Sequence, residues 1–106
     1  MRHEFGRYSE PALLVLVSLS ASPKHGYAIR EDVEQIANVR LGPGTLYGAI
    51  SRLEHHGLIE ALPVEERRRP YKLTAAGSSY LRGELDALST VVRTARGRLD
   101  AEVGPA

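Results

Sequence analysis

Apolar and polar positions along the chain fall into distinct blocks. From Glu10 to Ser20 nearly every residue is apolar (Glu-Pro-Ala-Leu-Leu-Val-Leu-Val-Ser-Leu-Ser). This predicts a short helix over 10–20, capped by Ser9, with Glu10 and Pro11 in the first turn where acids and proline are favoured. A helix apolar nearly all round is expected to be covered on more than one side. Ser22-Pro23-Lys24-His25-Gly26 interrupts the pattern. Tyr27, Ile29, Val33, Ile36 and Ala37 then recur at helical spacing, with Arg30, Glu31, Asp32 and Glu34 between them. That is an amphipathic second helix ending near Asn38.

Leu41-Gly42-Pro43-Gly44 reads as a turn. A third helix follows over Thr45–His56, with Leu46, Ala49, Ile50 and Leu53 on one face and Gly57 placed to stop it. Leu58–Leu62 alternates as a strand, 64–69 is a charged loop, and Pro70–Leu73 is a second strand, so the pair forms a hairpin with a basic tip. Thr74 is a suitable cap for a long last helix running towards Val103. Leu81, Leu85, Leu88, Val92, Ala95 and Leu99 are spaced 4, 3, 4, 3, 4, a heptad seam that calls for a partner helix.

The resulting order is helix, helix, turn, helix, hairpin, helix. It predicts a mainly α fold with a small β-hairpin wing: a winged helix-turn-helix domain over 1–74 and a C-terminal dimerisation helix over 75–106. One small domain cannot cover both the seam and the apolar first helix, so a two-fold dimer is expected. Leu13 and Leu16 of the first helix would join Leu81, Leu85, Leu88, Val92, Ala95 and Leu99 at its interface.

Composition narrows the class. The 106 residues suit one domain; 42% are hydrophobic and 25% charged, an ordinary folded balance. The chain has no cysteine, which excludes disulfides and thiolate metal sites. The opening residues lack an apolar stretch of signal-peptide length and no run reaches membrane-span length, so a cytoplasmic location is expected by default, without membrane partners. The net charge of +1 gives little support to nucleic-acid binding by itself. Local charge says more, because Arg67-Arg68-Arg69 is a compact basic run at the hairpin tip.

In a winged helix-turn-helix the third helix enters the major groove and its N-terminal residues reach base edges. Here that end is Gly42-Pro43-Gly44-Thr45-Leu46-Tyr47-Gly48. Gly44 lets the backbone approach a phosphate, and Thr45 and Tyr47 supply hydroxyls; Tyr47 serves equally well as a packing residue. Lys24, Tyr27, Arg52 and the wing arginines Arg67, Arg68 and Arg69 are candidate phosphate contacts, although Glu65 and Glu66 lower the field beside the wing. His55 and His56 are adjacent and point about 100° apart, which disfavours shared metal ligation. No metal or other cofactor is expected. Enzyme motifs are absent: the Gly-Pro-Gly turn lacks a P-loop ending, no serine sits in a nucleophile elbow, and Glu65 and Glu66 do not face each other across a cleft. Near-neutral charge leaves open a second reading, a winged-helix protein–protein adaptor that does not bind DNA.

Lys24-His25-Gly26-Tyr27-Ala28-Ile29 resembles the HGY-x-I opening of helix two in PadR-family regulators. Leu41–Ile59, with Gly44-Thr45-Leu46-Tyr47 and Leu53-Glu54-His55-His56-Gly57-Leu58-Ile59, is similar to that family's recognition-helix motif. Arg68–Gly77 is similar to its wing strand and the turn into the last helix. The resemblance covers about residues 10–82. It implies a cytosolic transcriptional repressor that binds double-stranded DNA at a near-palindromic operator as a homodimer, relieved by a small hydrophobic or aromatic effector at or near the dimer interface. Two departures stand out. There is no tryptophan, so an aromatic sandwich of the kind used by drug-sensing relatives is not expected, and Gly48 occupies a position where the family often has proline.

Overall fold

The computed structural model describes residues 10–103. Its elements are α1 (Pro11–Ala21), β1 (Lys24–His25), α2 (Gly26–Ala37), α3 (Pro43–His55), β2 (Ile59–Ala61), β3 (Pro70–Leu73) and α4 (Ala75–Val103). This is a mainly helical winged helix-turn-helix with one long C-terminal helix.

The apolar run of α1 lies at the centre and touches α2, α3, β3 and α4. Its Val15 and Leu16 are fully buried and pack with Ile29 and Val33 of α2, Leu46, Ala49 and Ile50 of α3, and Ile59 of β2. α1 begins with Pro11 at its first turn and Glu10 at the cap position, where no side-chain hydrogen bond forms. The Ser9 cap expected from sequence lies outside the described residues. The remaining boundaries follow local chemistry. Asn38 ends α2 in the left-handed conformation that asparagine tolerates, and Gly57 follows α3 with φ +74°. Thr74 caps α4: its Oγ1 accepts from the Gly77 N–H at 3.0 Å and donates to the Gly57 carbonyl at 2.7 Å.

The sheet has three antiparallel strands in the order β1-β3-β2, one more than the sequence pattern predicts. β2 and β3 pair Ile59 with Leu73, Glu60 with Lys72 and Ala61 with Tyr71. β1 pairs Lys24 with Tyr71 and His25 with Pro70 on the other side of β3. The wing closes at Glu65–Arg68, whose backbones exchange two hydrogen bonds of 2.8 Å. Glu66 (φ 50°) and Arg67 (φ 69°) are both left-handed. This is a type I′ turn made without glycine, each central residue at a conformational cost of roughly 1 kcal/mol.

The seam of α4 divides in two. Leu81 is 5% exposed and belongs to the chain's own core, whereas Leu85 (45%), Leu88 (43%), Val92 (48%) and Leu99 (61%) lie open. Two residues assigned to a dimer interface from sequence are therefore corrected. Leu16 and Leu81 spend their apolar surface inside the chain, because heptad spacing does not say whose core a residue enters. Leu13 stays half-buried at the edge of α1, and Ala95 is exposed with the outer seam.

Gly77 is buried where α4 crosses the hairpin, and a Cβ there would lie 2.9 Å from the carbonyl carbon of Leu58. Gly83 and Gly97 face open space on the same helix. Alanine should therefore act in opposite directions. Gly77→Ala is expected to destabilise by about 2 kcal/mol or more, and Gly83→Ala to stabilise by up to about 1 kcal/mol. Denaturant midpoints read both, and a stable Gly77→Ala would contradict the packing described.

Candidate nucleic-acid interface

The turn between α2 and α3 sets the pose of α3. Leu41 is buried, and Arg30 of α2 donates from Nε to the Leu41 carbonyl at 3.0 Å, tying α2 to the turn. Gly42 stands at the cap with no side-chain bond, and Pro43 occupies the first turn. The helix thus starts two residues earlier than Thr45, with Gly44 and Thr45 exposed in its first turn. Arg52 lies two turns beyond Thr45 on the same face and reaches back over Gly48, where an added Cβ would sit 3.7 Å from Nη1.

A cleft of about 350 Å³ separates this helix from the wing. Its walls are His25, Gly26, Tyr27, Tyr47, Arg67, Arg68, Arg69 and Tyr71, with no carboxylate among them. The I′ turn sorts the charges of the tip. Glu65 and Glu66 border a separate hollow with His25 and Arg68. Neither acid lines the cleft itself, although the hollow they border shares His25 and Arg68 with it.

The three wing arginines differ. Arg69 donates from Nη1 to the Leu62 carbonyl at 2.7 Å and braces the hairpin. Arg68 donates to His25 Nε2 at 3.0 Å. The Ala28 N–H points at the other ring nitrogen, Nδ1, at 3.4 Å. A neutral imidazole has only one unprotonated nitrogen, so the two contacts exclude each other, and the shorter Arg68 contact is the better hydrogen bond. Arg67 stands at the turn apex, exposed, with no hydrogen bond or ion pair among the described residues.

Lys24 requires correction. Its Nζ donates to the carbonyls of Ser18 (2.6 Å) and Ser22 (3.1 Å) and lies 4.0 Å from Asp32, with the side chain only 17% exposed. It closes the C-terminal end of α1, which leaves little of its charge for a phosphate. Tyr27 and Tyr47 are each about half exposed and line the cleft.

Sequence reasoning missed Arg30, Gly26 and Tyr71. Tyr71 sits on β3 at the cleft floor. Its hydroxyl is held above the usual tyrosine range by burial, then by the negative charge of Glu54 and by Tyr47, with Arg69 opposing. Only the strand's pairing shows which face it takes. Among the described residues no group of three or more His, Cys, Asp and Glu could hold a metal, and no helix is long and apolar enough to cross a membrane.

A recognition helix flanked by a basic wing defines a winged helix-turn-helix DNA-binding regulator. The model of the transcriptional regulator PadR-like family matches residues 15–83. The chain belongs to that family, whose members are transcriptional regulators. A PadR family transcription regulator from Clostridium difficile superposes with TM-score 0.78 at 24% identity, covering 86% of this chain and 99% of that one. A PadR-like transcription factor from Bacteroides fragilis gives 0.69 at 27% identity, covering 83% and 87%. An uncharacterised 37.1 kDa protein in transposon TN4556 of Streptomyces fradiae is 43% identical over 83 residues, 78% of this chain. The chain spans about a quarter of that relative's length, 24%.

Because the folded state favours neutral Tyr71, its stabilising contribution is complete below the unfolded value of about 10 and fades as pH rises through the higher folded value. Tyr71→Phe should remove the late-titrating tyrosinate absorbance and flatten the alkaline loss of stability. Loss of a tyrosinate signal from the ordinary tyrosine range instead would contradict the raised Tyr71 hydroxyl.

Proposed function

We propose that this chain is a sequence-specific repressor acting as a homodimer on a near-palindromic operator. The observation that carries the reading is the cleft free of carboxylate walls between the first turns of α3 and the wing. On the helix side Tyr47 lines the cleft, and the exposed Gly44 backbone and Thr45 hydroxyl precede it in the first turn of α3; the wing side offers Arg67 at the turn apex. Helix width and an N-terminal approach suit the major groove, while the wing suits backbone phosphate or the minor groove.

Dimerisation is supported by the open apolar stripe of Leu85, Leu88, Val92, Ala95 and Leu99, on a helix that continues past the core. In this reading residues 1–74 read DNA and 75–106 pair the copies, with the first turns of α4 shared by both. Two reading helices would then sit roughly 34 Å apart, one DNA turn. Relief by a small hydrophobic or aromatic effector is supported by a hollow of about 160 Å³ beside the stripe. Leu13, Leu16, Leu53 and Leu58 form its apolar wall, and Tyr80, Arg52 and Glu84 its rim. A ligand there would touch α1, α3 and α4 together and bias their relative pose.

Selection of bound duplexes from a random pool tests the reading. It should return two inverted half-sites with centres about 10 base pairs apart. Failure to enrich any sequence, with passage through nonspecific DNA at low salt, would overturn it and favour the adaptor. The same assay separates the two cations the structure treats differently. Arg67→Ala should reduce the slope of log K against log salt by about 1, and Lys24→Ala should lower thermal stability while leaving that slope unchanged.

A further inference from the structure

Gly26 opens α2 and is buried, yet its backbone is not in the left-handed region that favours glycine. Alanine is the better helix former at such a position. What glycine supplies there is room. A Cβ on Gly26 would lie 2.7 Å from Cζ and 3.0 Å from Cε1 of Tyr47, and closer still to the phenol oxygen. Around the helix-turn-helix the other glycines differ: Gly42 and Gly44 face open space, and Gly48 meets only Arg52 at ordinary contact distance. The hydroxyl end of the Tyr47 ring thus packs against the start of α2. The residue is 50% exposed and lines the cleft shared with Tyr27, Arg67 and Tyr71.

We propose that Gly26 acts through Tyr47: the bare Cα is the seat that fixes the end of the phenol at the cleft, so that the ring meets DNA in one pose. Gly26 touches no DNA itself; it is a positioning residue. The output rests on the DNA-binding reading above, whereas the seat is a property of the free protein.

Two measurements on the full chain test it. In the first, the chain carries carbon-13-labelled tyrosine, and the Tyr47 ring signal is identified by its loss in Tyr47→Phe. Gly26→Ala should move that signal and leave that of Tyr80, on α4, in place. An unmoved Tyr47 signal overturns the proposal. Where Gly26→Ala alone does not fold, adding Tyr47→Ala should restore the melting temperature of the Tyr47→Ala single variant, and failure to do so overturns it equally. In the second, the probe is the duplex selected by the wild-type protein. Gly26→Ala should weaken binding about tenfold in the wild-type background and have no further effect in the Tyr47→Ala background, with the salt slope unchanged. Additive losses would show that Gly26 acts elsewhere. If the wild-type protein selects no duplex, the repressor reading fails while the ring signal still decides the seat.

Discussion

An apolar face that the chain cannot cover by itself is the constraint on which the rest depends. The first two turns of α4 belong to the core through Gly77 and Leu81, but from Leu85 onward the helix carries leucine and valine every third or fourth residue into open space. Burying a side chain of this size is worth roughly 1.5–3 kcal/mol when complete. Half-exposed residues over four turns therefore leave a large part of that free energy unrealised in a single copy. In the proposed dimer a second copy would realise it and, through the start of α4, would set the separation of two α3 helices. In that reading, shape at the DNA-reading end and association at the far end are parts of one unit.

α1 makes that unit stiff. It is apolar on every side because it is touched on every side, by α2, α3, β3 and α4. Lys24 of β1 closes its C-terminal end, and Arg30 holds the turn ahead of α3. These cations, which would be free charges on an open surface, serve the backbone carbonyls instead. The charge left for DNA is therefore local: a net +1 chain presents Arg67 at a strained apex, beside a cleft whose lining includes neither Glu65 nor Glu66.

Much of this was legible in the residues. The all-apolar block predicted a central helix, Asn38 and Gly57 marked helix ends, and Thr74 marked a start, because each depends on local backbone chemistry. What could not be read was direction across space. The two-residue strand β1 is too short to have a period, and it exists only because β3 passes beside it. Lys24 looks from sequence like any wing-side cation, yet it points inward. Leu16 and Leu81 fit an interface pattern as well as a core pattern. Gly26 resembles a turn residue until Tyr47 is seen lying on it, and Tyr71 resembles any strand tyrosine until the cleft floor is seen.

Sedimentation equilibrium of the purified chain at micromolar concentration is the most direct test of the central claim. The account predicts a mass twice the 11.6 kDa of one chain, with no DNA present. A single species of one-chain mass across that range would contradict it.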